Sequence, residues 1–140
     1  MRLSIRNQLD GVIESITRGE VMGTVQTRLS GGQEITAAIT LDAIDDLQLA
    51  TGTPVTVLLK STEVSVATGP VSGLSIRNQI PGTVFEVDNG AVMTTIKITI
   101  EGGHTVTAAI TKDSSDDLEL APGDPVTALI KSTEVAIAVE

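Results

Sequence analysis

Apolar and polar residues alternate with a period of two through most of this chain, the periodicity of a β-strand with one buried face. The pattern is cleanest where Val92, Thr94, Ile96, Ile98 and Ile100 share one face and Met93, Thr95, Lys97 and Thr99 the other. It occurs more weakly upstream, with Val21, Gly23, Val25, Thr27 and Leu29 set against Met22, Thr24, Gln26 and Arg28. A glycine pair follows each run, Gly31-Gly32 and Gly102-Gly103. It predicts a hairpin into a strand that turns Ile35, Ala37 and Ile39 inward, or Val106, Ala108 and Ile110. Val55–Lys60 and Val126–Lys131 read as later strands, extended through Val64–Ala67 and Val135–Ala138. Alternation also makes Leu3–Arg6 a strand that ends at Asn7 and Gln8, repeated at Leu74–Gln79.

One short helix is predicted in each half. Asp42 and Asp113 serve as expected N-caps, followed by Asp45 and Asp116. Gly52 before Pro54, and Gly123 before Pro125, are expected to stop the helix and turn the chain into the next strand.

The duplication is explicit. Leu3–Ala67 aligns with Leu74–Ala138 at a constant offset of 71 (74 − 3) with no insertion. LSIRNQ, TAAIT and KSTEV return as blocks. The period suits a small domain better than a solenoid repeat. The expected domains are residues 1–68 and 74–140, joined by a Gly/Pro/Ser linker at 69–73. The expected fold class is all-β: two tandem OB-like five-stranded barrels, each with one short helix.

A unit of about 70 residues buries only roughly 60% of its unfolded surface and is marginal alone. Phe85 is the one aromatic residue, so Val, Ile, Leu and Ala must form the core without disulfides. Packing between the halves, and between subunits, is expected. The absence of Cys excludes thiol chemistry and cysteine-ligated metals. No apolar run reaches the roughly 20 residues that span a bilayer, and the N-terminus lacks a signal-peptide core. The expected location is cytoplasmic, with no membrane partner. A net charge of −9 opposes binding to a phosphate backbone. It leaves room for a small anion in a local cluster of cations.

Such clusters are suggested by the retained blocks. Ser4 and Arg6 lie two residues apart on an expected strand, so a hydroxyl and a guanidinium project together. Asn7 and Gln8 add amide donors. Lys60, Ser61 and Thr62 supply an ammonium and two hydroxyls at a strand end. The copies are Ser75, Arg77, Asn78, Gln79, Lys131, Ser132 and Thr133. These donors suit a tetrahedral oxyanion, since they converge from several directions and hold their charge near neutral pH. Glu63, expected on the face of Ser61, competes for the lysine. A solvated strand face accounts for either block taken once, but not for retention of the arginine and lysine while Ile13–Arg18 diverges to Val84–Asn89. His104 replaces Gln33 and reads as a turn residue. Asp45-Asp46 and Asp116-Asp117 read as a solvated helix face, and Met22 and Met93 as core or interface filler.

Ser-x-Arg-Asn-Gln, the Gly-Gly turn before TAAIT, and Lys-Ser-Thr-Glu-Val together resemble the molybdate-binding Mop domain. The tandem arrangement resembles a di-Mop molbindin over essentially the whole chain. The resemblance implies OB-like barrels in a homotrimer that binds molybdate, and tungstate, at subunit interfaces for molybdenum storage and homeostasis. No cofactor is implied beyond that ligand. It puts oxyanion ligands at Ser4, Arg6, Lys60, Ser61, Ser75, Arg77, Lys131 and Ser132. Looser candidates, contributed by a partner subunit, are backbone N–H groups near Met22, Ala38, Ile39, Met93, Ala109 and Ile110. Val21-Met22-Gly23 departs from the Asn-bearing version of that strand in single Mop domains.

Three rivals remain. A nucleic-acid-binding OB fold would stack bases on aromatics along a basic groove, which one Phe and the net charge disfavour. A molybdate-sensing module would pass its signal to a protein partner. An enzyme is disfavoured because no general base is positioned by the sequence.

Overall fold

The computed structural model describes all 140 residues, Met1–Glu140. The strands are β1 (Asn7–Arg18), β2 (Met22–Leu29), β3 (Glu34–Thr40), β4 (Pro54–Leu59) and β5 (Ser65–Ala67), then β6 (Asn78–Asn89), β7 (Met93–Ile100), β8 (Thr105–Thr111), β9 (Pro125–Ile130) and β10 (Val135–Ala138). Two helices, α1 (Leu41–Asp46) and α2 (Lys112–Asp117), follow β3 and β8. The strands form two five-stranded antiparallel sheets, ordered β10-β4-β1-β2-β3 and β5-β9-β6-β7-β8. The edge strands of each sheet, β3 with β10 and β5 with β8, approach one another. Each sheet therefore curls into a partly open barrel of the expected OB-like kind.

The sheets do not follow the sequence repeat. β5 ends the first repeat but pairs with β9, while β10 ends the second and pairs with β4. Each sheet is completed by a strand from the other half. The core is shared in the same way. One cluster of 18 buried residues runs from Leu9, Leu29 and Leu59 to Ile80, Ile96 and Ile130, so the halves have a common interior. A satellite of Ile13, Val25, Ile44, Leu49 and Val55 lies in the first half alone.

Several local expectations change. Leu3–Arg6 lies outside the strands, because no neighbouring strand completes a ladder there. The first long strand instead begins at Asn7. A bulge between Ile13 and Ser15, repeated between Val84 and Glu86, shifts its register and hides its period in the sequence. The helix N-caps are Thr40 and Thr111, whose side chains accept from the Ala43 and Ser114 N–H groups. Asp42 and Asp113 fall in the first turn, where their charge suits the helix N-terminus. The helices stop before the expected glycines, at Leu47 and Leu118, and Gln48 and Glu119 follow with φ of 52°. The inward faces of β2, β3, β7 and β8 are as read, except that Val21 and Val92 precede their strands and are 72% and 73% exposed. Met22 and Met93 are exposed rather than core residues.

Candidate functional site

The ladder between β1 and β4 begins with Asn7 opposite Leu59. Arg6 and Lys60 are the next residues outward on these two strands, so the register delivers both cations to one corner of the sheet. The ladder between β6 and β9 begins with Asn78 opposite Ile130 and delivers Arg77 and Lys131 to an equivalent corner. Sequence reasoning found these residues; the ladders explain why blocks about 55 residues apart meet (60 − 6 = 54).

Arg6 does not extend along a strand. Its Nε–H and one Nη2–H donate to the Ser4 and Leu3 carbonyls, both at 3.2 Å, folding the segment into an arch. A guanidinium carries five N–H donors, so most remain available. Gln8 and Gln79 donate to the Ile5 and Ile76 carbonyls at 3.0 Å, tying each lead-in segment to the start of β1 or β6.

Lys60 and Lys131 lead into single 3-10 turns, Ser61–Glu63 and Ser132–Glu134. Strand alternation fails in these turns, and Glu63 forms no ion pair with Lys60. The Ser61 turn packs against β8 of the other half, and the Ser132 turn against β3. Ser61 Oγ and Ser132 Oγ are buried without a hydrogen-bond partner. A buried hydroxyl left unpaired costs about 1–3 kcal/mol, and here the same cost occurs twice at matching positions.

The cations are unevenly used. Of nine Lys and Arg residues, Arg18, Arg28, Lys97 and Lys112 form ion pairs, leaving five without one (9 − 4). Four of the five are Arg6, Lys60, Arg77 and Lys131; the fifth is Arg2. In a chain with 18 acidic residues, these four unpaired cations flank the strand ends that lead into the Ser61 and Ser132 turns, whose hydroxyls are unpaired. The third unpaired hydroxyl, that of Thr27, is buried within the first sheet.

The edge strands add backbone donors. Thr36 exchanges hydrogen bonds with the Asn78 side chain, so its peptide groups point away from β2. Strand alternation turns the Ala38 N–H the same way, whereas Ile39 faces β2 opposite Gly23. Ala109 and Ile110 repeat this on β8, since Thr107 bonds Asn7. Among the looser candidates, the two alanines therefore offer N–H groups beside the serine turns. Met22 opens β2 at the opposite end of β1 from Arg6, and its ladder partner Thr40 lies two residues beyond Ala38. Met93 is related to Thr111 and Ala109 in the same way.

Sequence reasoning missed the use of Asn7 and Asn78. Both are buried, and both commit their side-chain amides to the opposite half. Their retention in the repeated RNQ block was the available signal. A surface cavity of about 840 Å³ lies elsewhere, lined by Asp10, Asp46, Glu140 and neighbours. Its carboxylates repel an anion, so this cavity is no part of the candidate site. No helix is long and apolar enough to cross a membrane.

Residues 3–66 and 74–137 each match the TOBE domain. The molybdenum transport protein ModE of Herbaspirillum seropedicae is 40% identical over 141 residues, covering 100% of this chain and 52% of the relative. The molybdenum-pterin-binding protein MopB of Rhodobacter capsulatus is 38% identical over 139 residues, covering 99% of this chain and 52% of the relative. The chain thus spans about half the length of these curated relatives. The crystal structure of the cytoplasmic molybdate-binding protein ModG, with molybdate bound, superposes at a TM-score of 0.97 and 33% identity, covering all of both chains.

Proposed function

The chain belongs to the TOBE domain family, and on that footing we propose that it binds molybdate, and tungstate as its analogue, reversibly for intracellular molybdenum storage and homeostasis. The observation that carries this reading is the coincidence of unpaired cations with unpaired buried hydroxyls at both corners. A desolvated dianion needs fixed donors to replace its hydration, and ionised donors make the stronger bonds. The proposed ligands are Ser4, Arg6, Lys60 and Ser61 at one corner, and Ser75, Arg77, Lys131 and Ser132 at the other. The Ala38 and Ala109 N–H groups complete the donor set.

The sequence repeats, 1–68 and 74–140 about the 69–73 linker, contribute one such ligand set each. The working assembly is a cytoplasmic homotrimer with sites at subunit interfaces, where ligand stabilises the assembly by mass action. The exposed apolar ends at Val21, Met22, Val92 and Met93 support subunit packing. Holding an oxyanion by hydrogen bonds alone is the work of a binding protein rather than an enzyme.

Isothermal calorimetry with sodium molybdate tests the reading on the wild-type chain and on Arg6→Ala combined with Arg77→Ala. The double variant should stay folded and lose binding by two orders of magnitude or more. Unchanged stoichiometry and affinity would remove these residues from the site. The likeness to one half of ModE keeps a second reading in view, in which the same sites report molybdate to a protein partner. Pull-downs with and without molybdate separate that role from storage.

A further inference from the structure

Asn7 is 2% exposed and Asn78 is 3% exposed, and each makes a pair of hydrogen bonds across the halves. Asn7 Nδ2 donates to the Thr107 carbonyl and the Thr107 N–H donates to Asn7 Oδ1, both at 2.8 Å. Asn78 makes the same two bonds to Thr36, again at 2.8 Å. A side-chain amide thus takes the place of a ladder residue on an edge strand that has no neighbour there.

The position of each asparagine is what links it to the anion. Asn7 follows Arg6 directly, and its backbone pairs with Leu59, which precedes Lys60. Its side chain reaches β8 at Thr107, two residues before the outward N–H of Ala109. One residue therefore fixes three chain segments: the arch carrying Arg6, the strand end carrying Lys60, and the edge carrying Ala109. The Ser61 turn packs on that same edge. Asn78 does this for Arg77, Lys131 and Ala38.

We propose that Asn7 and Asn78 are positioning residues that make each oxyanion corner a joint product of both halves, holding one half's Arg and Lys against the other half's edge strand. The proposal rests on the molybdate reading above and extends it. The two corners then respond separately: loss of Asn7 disorders the Arg6 corner, and loss of Asn78 the Arg77 corner. A fastening that only held the halves together would affect both corners alike.

The test is calorimetric titration of the full chain with sodium molybdate in two backgrounds. Arg77→Ala leaves the Arg6 corner as the reporter, and Arg6→Ala leaves the Arg77 corner. Adding Asn7→Ala should weaken binding at least tenfold in the first background and less than twofold in the second; Asn78→Ala should do the reverse. Ile13→Ala, a core change remote from both corners, serves as a control for lost thermal stability. Thr107→Pro deletes the N–H that Asn7 accepts while keeping Asn7, at an edge position that tolerates proline. It should reproduce the selective loss at the Arg6 corner and covers the case in which Asn7→Ala fails to fold. Equal weakening in both backgrounds, or affinities that follow stability as in Ile13→Ala, would overturn the proposal while leaving the molybdate reading intact. A wild-type chain that takes up no molybdate would end both.

Discussion

Thr27 occupies in the first sheet the place that Ile98 occupies in the second, each set between equivalent neighbours, Ile13 and Ile35 or Val84 and Val106. Both residues are completely buried, but the Thr27 hydroxyl has no hydrogen-bond partner. Thr27→Val keeps the shape and removes the unpaired oxygen. It should raise stability by about 1 kcal/mol, read as a higher urea midpoint with unchanged slope. A lower midpoint would mean that the hydroxyl has a partner in solution.

Ser61 and Ser132 present the opposite balance. Their hydroxyls are also unpaired in the protein alone, but the proposed ligand would satisfy them. Ser61→Ala with Ser132→Ala should leave the unliganded melting temperature unchanged or slightly raised. Molybdate affinity should fall by about 10- to 100-fold per site, the worth of a hydrogen bond to a charged group. A loss of stability without a loss of affinity would make these serines structural.

Lys112 carries a pH signature that the first helix lacks, since Leu41 stands in its place. Its Nζ donates to Asp116 Oδ2 at 2.7 Å, and this hydrogen bond, followed by the charge of Asp116, raises the Lys112 pKa above its ordinary 10.5. A group raised on folding adds stability below its unfolded value and loses it as pH climbs through its folded value. Wild type should therefore be slightly more stable than Lys112→Met at about pH 8, and the gap should narrow at a second pH above 10.5. Parallel urea titrations at the two pH values decide this; a gap that persists at high pH has another source.

The exchanged strands predict which sheet suffers when one is lost. β10 covers the outer edge of β4, with Val135 opposite Leu59 and Ala138 opposite Thr56. Deleting residues 135–140 should expose that edge. Amide hydrogen exchange should then quicken in Thr56–Leu59 of the first half, more than in Val126–Ile130 of the half that lost the residues. Faster exchange confined to the second half would contradict the pairing.

The hairpins and the candidate cations were legible in the sequence because both depend on local spacing. Val25, Ile35, Ile96 and Val106 betray their buried face by alternation, and Arg6 and Lys60 stand out by being repeated. The long β1 was not legible, since the bulge near Ile13 breaks the alternation that would mark it. Thr40 was passed over as a cap in favour of Asp42, because both residue types cap well and a shift of two residues decides between them. The exchange of β5 and β10 was beyond local reading altogether. Both strands follow the same KSTEV block, so their patterns fit β4 and β9 equally well. The exchange shows only in the folded molecule, where the two halves share one core.

That exchange bears on how freely the two copies can drift apart. The KSTEV end of each copy is a key cut for the opposite copy's lock: the Ser61 turn must fit β8, and the Ser132 turn must fit β3. A change in one TAAIT segment is felt by the distant KSTEV, and a change in one Asn by the other copy's threonine. Positions on these seams are held in common, whereas Ile13–Arg18 and Val84–Asn89, away from them, have gone separate ways.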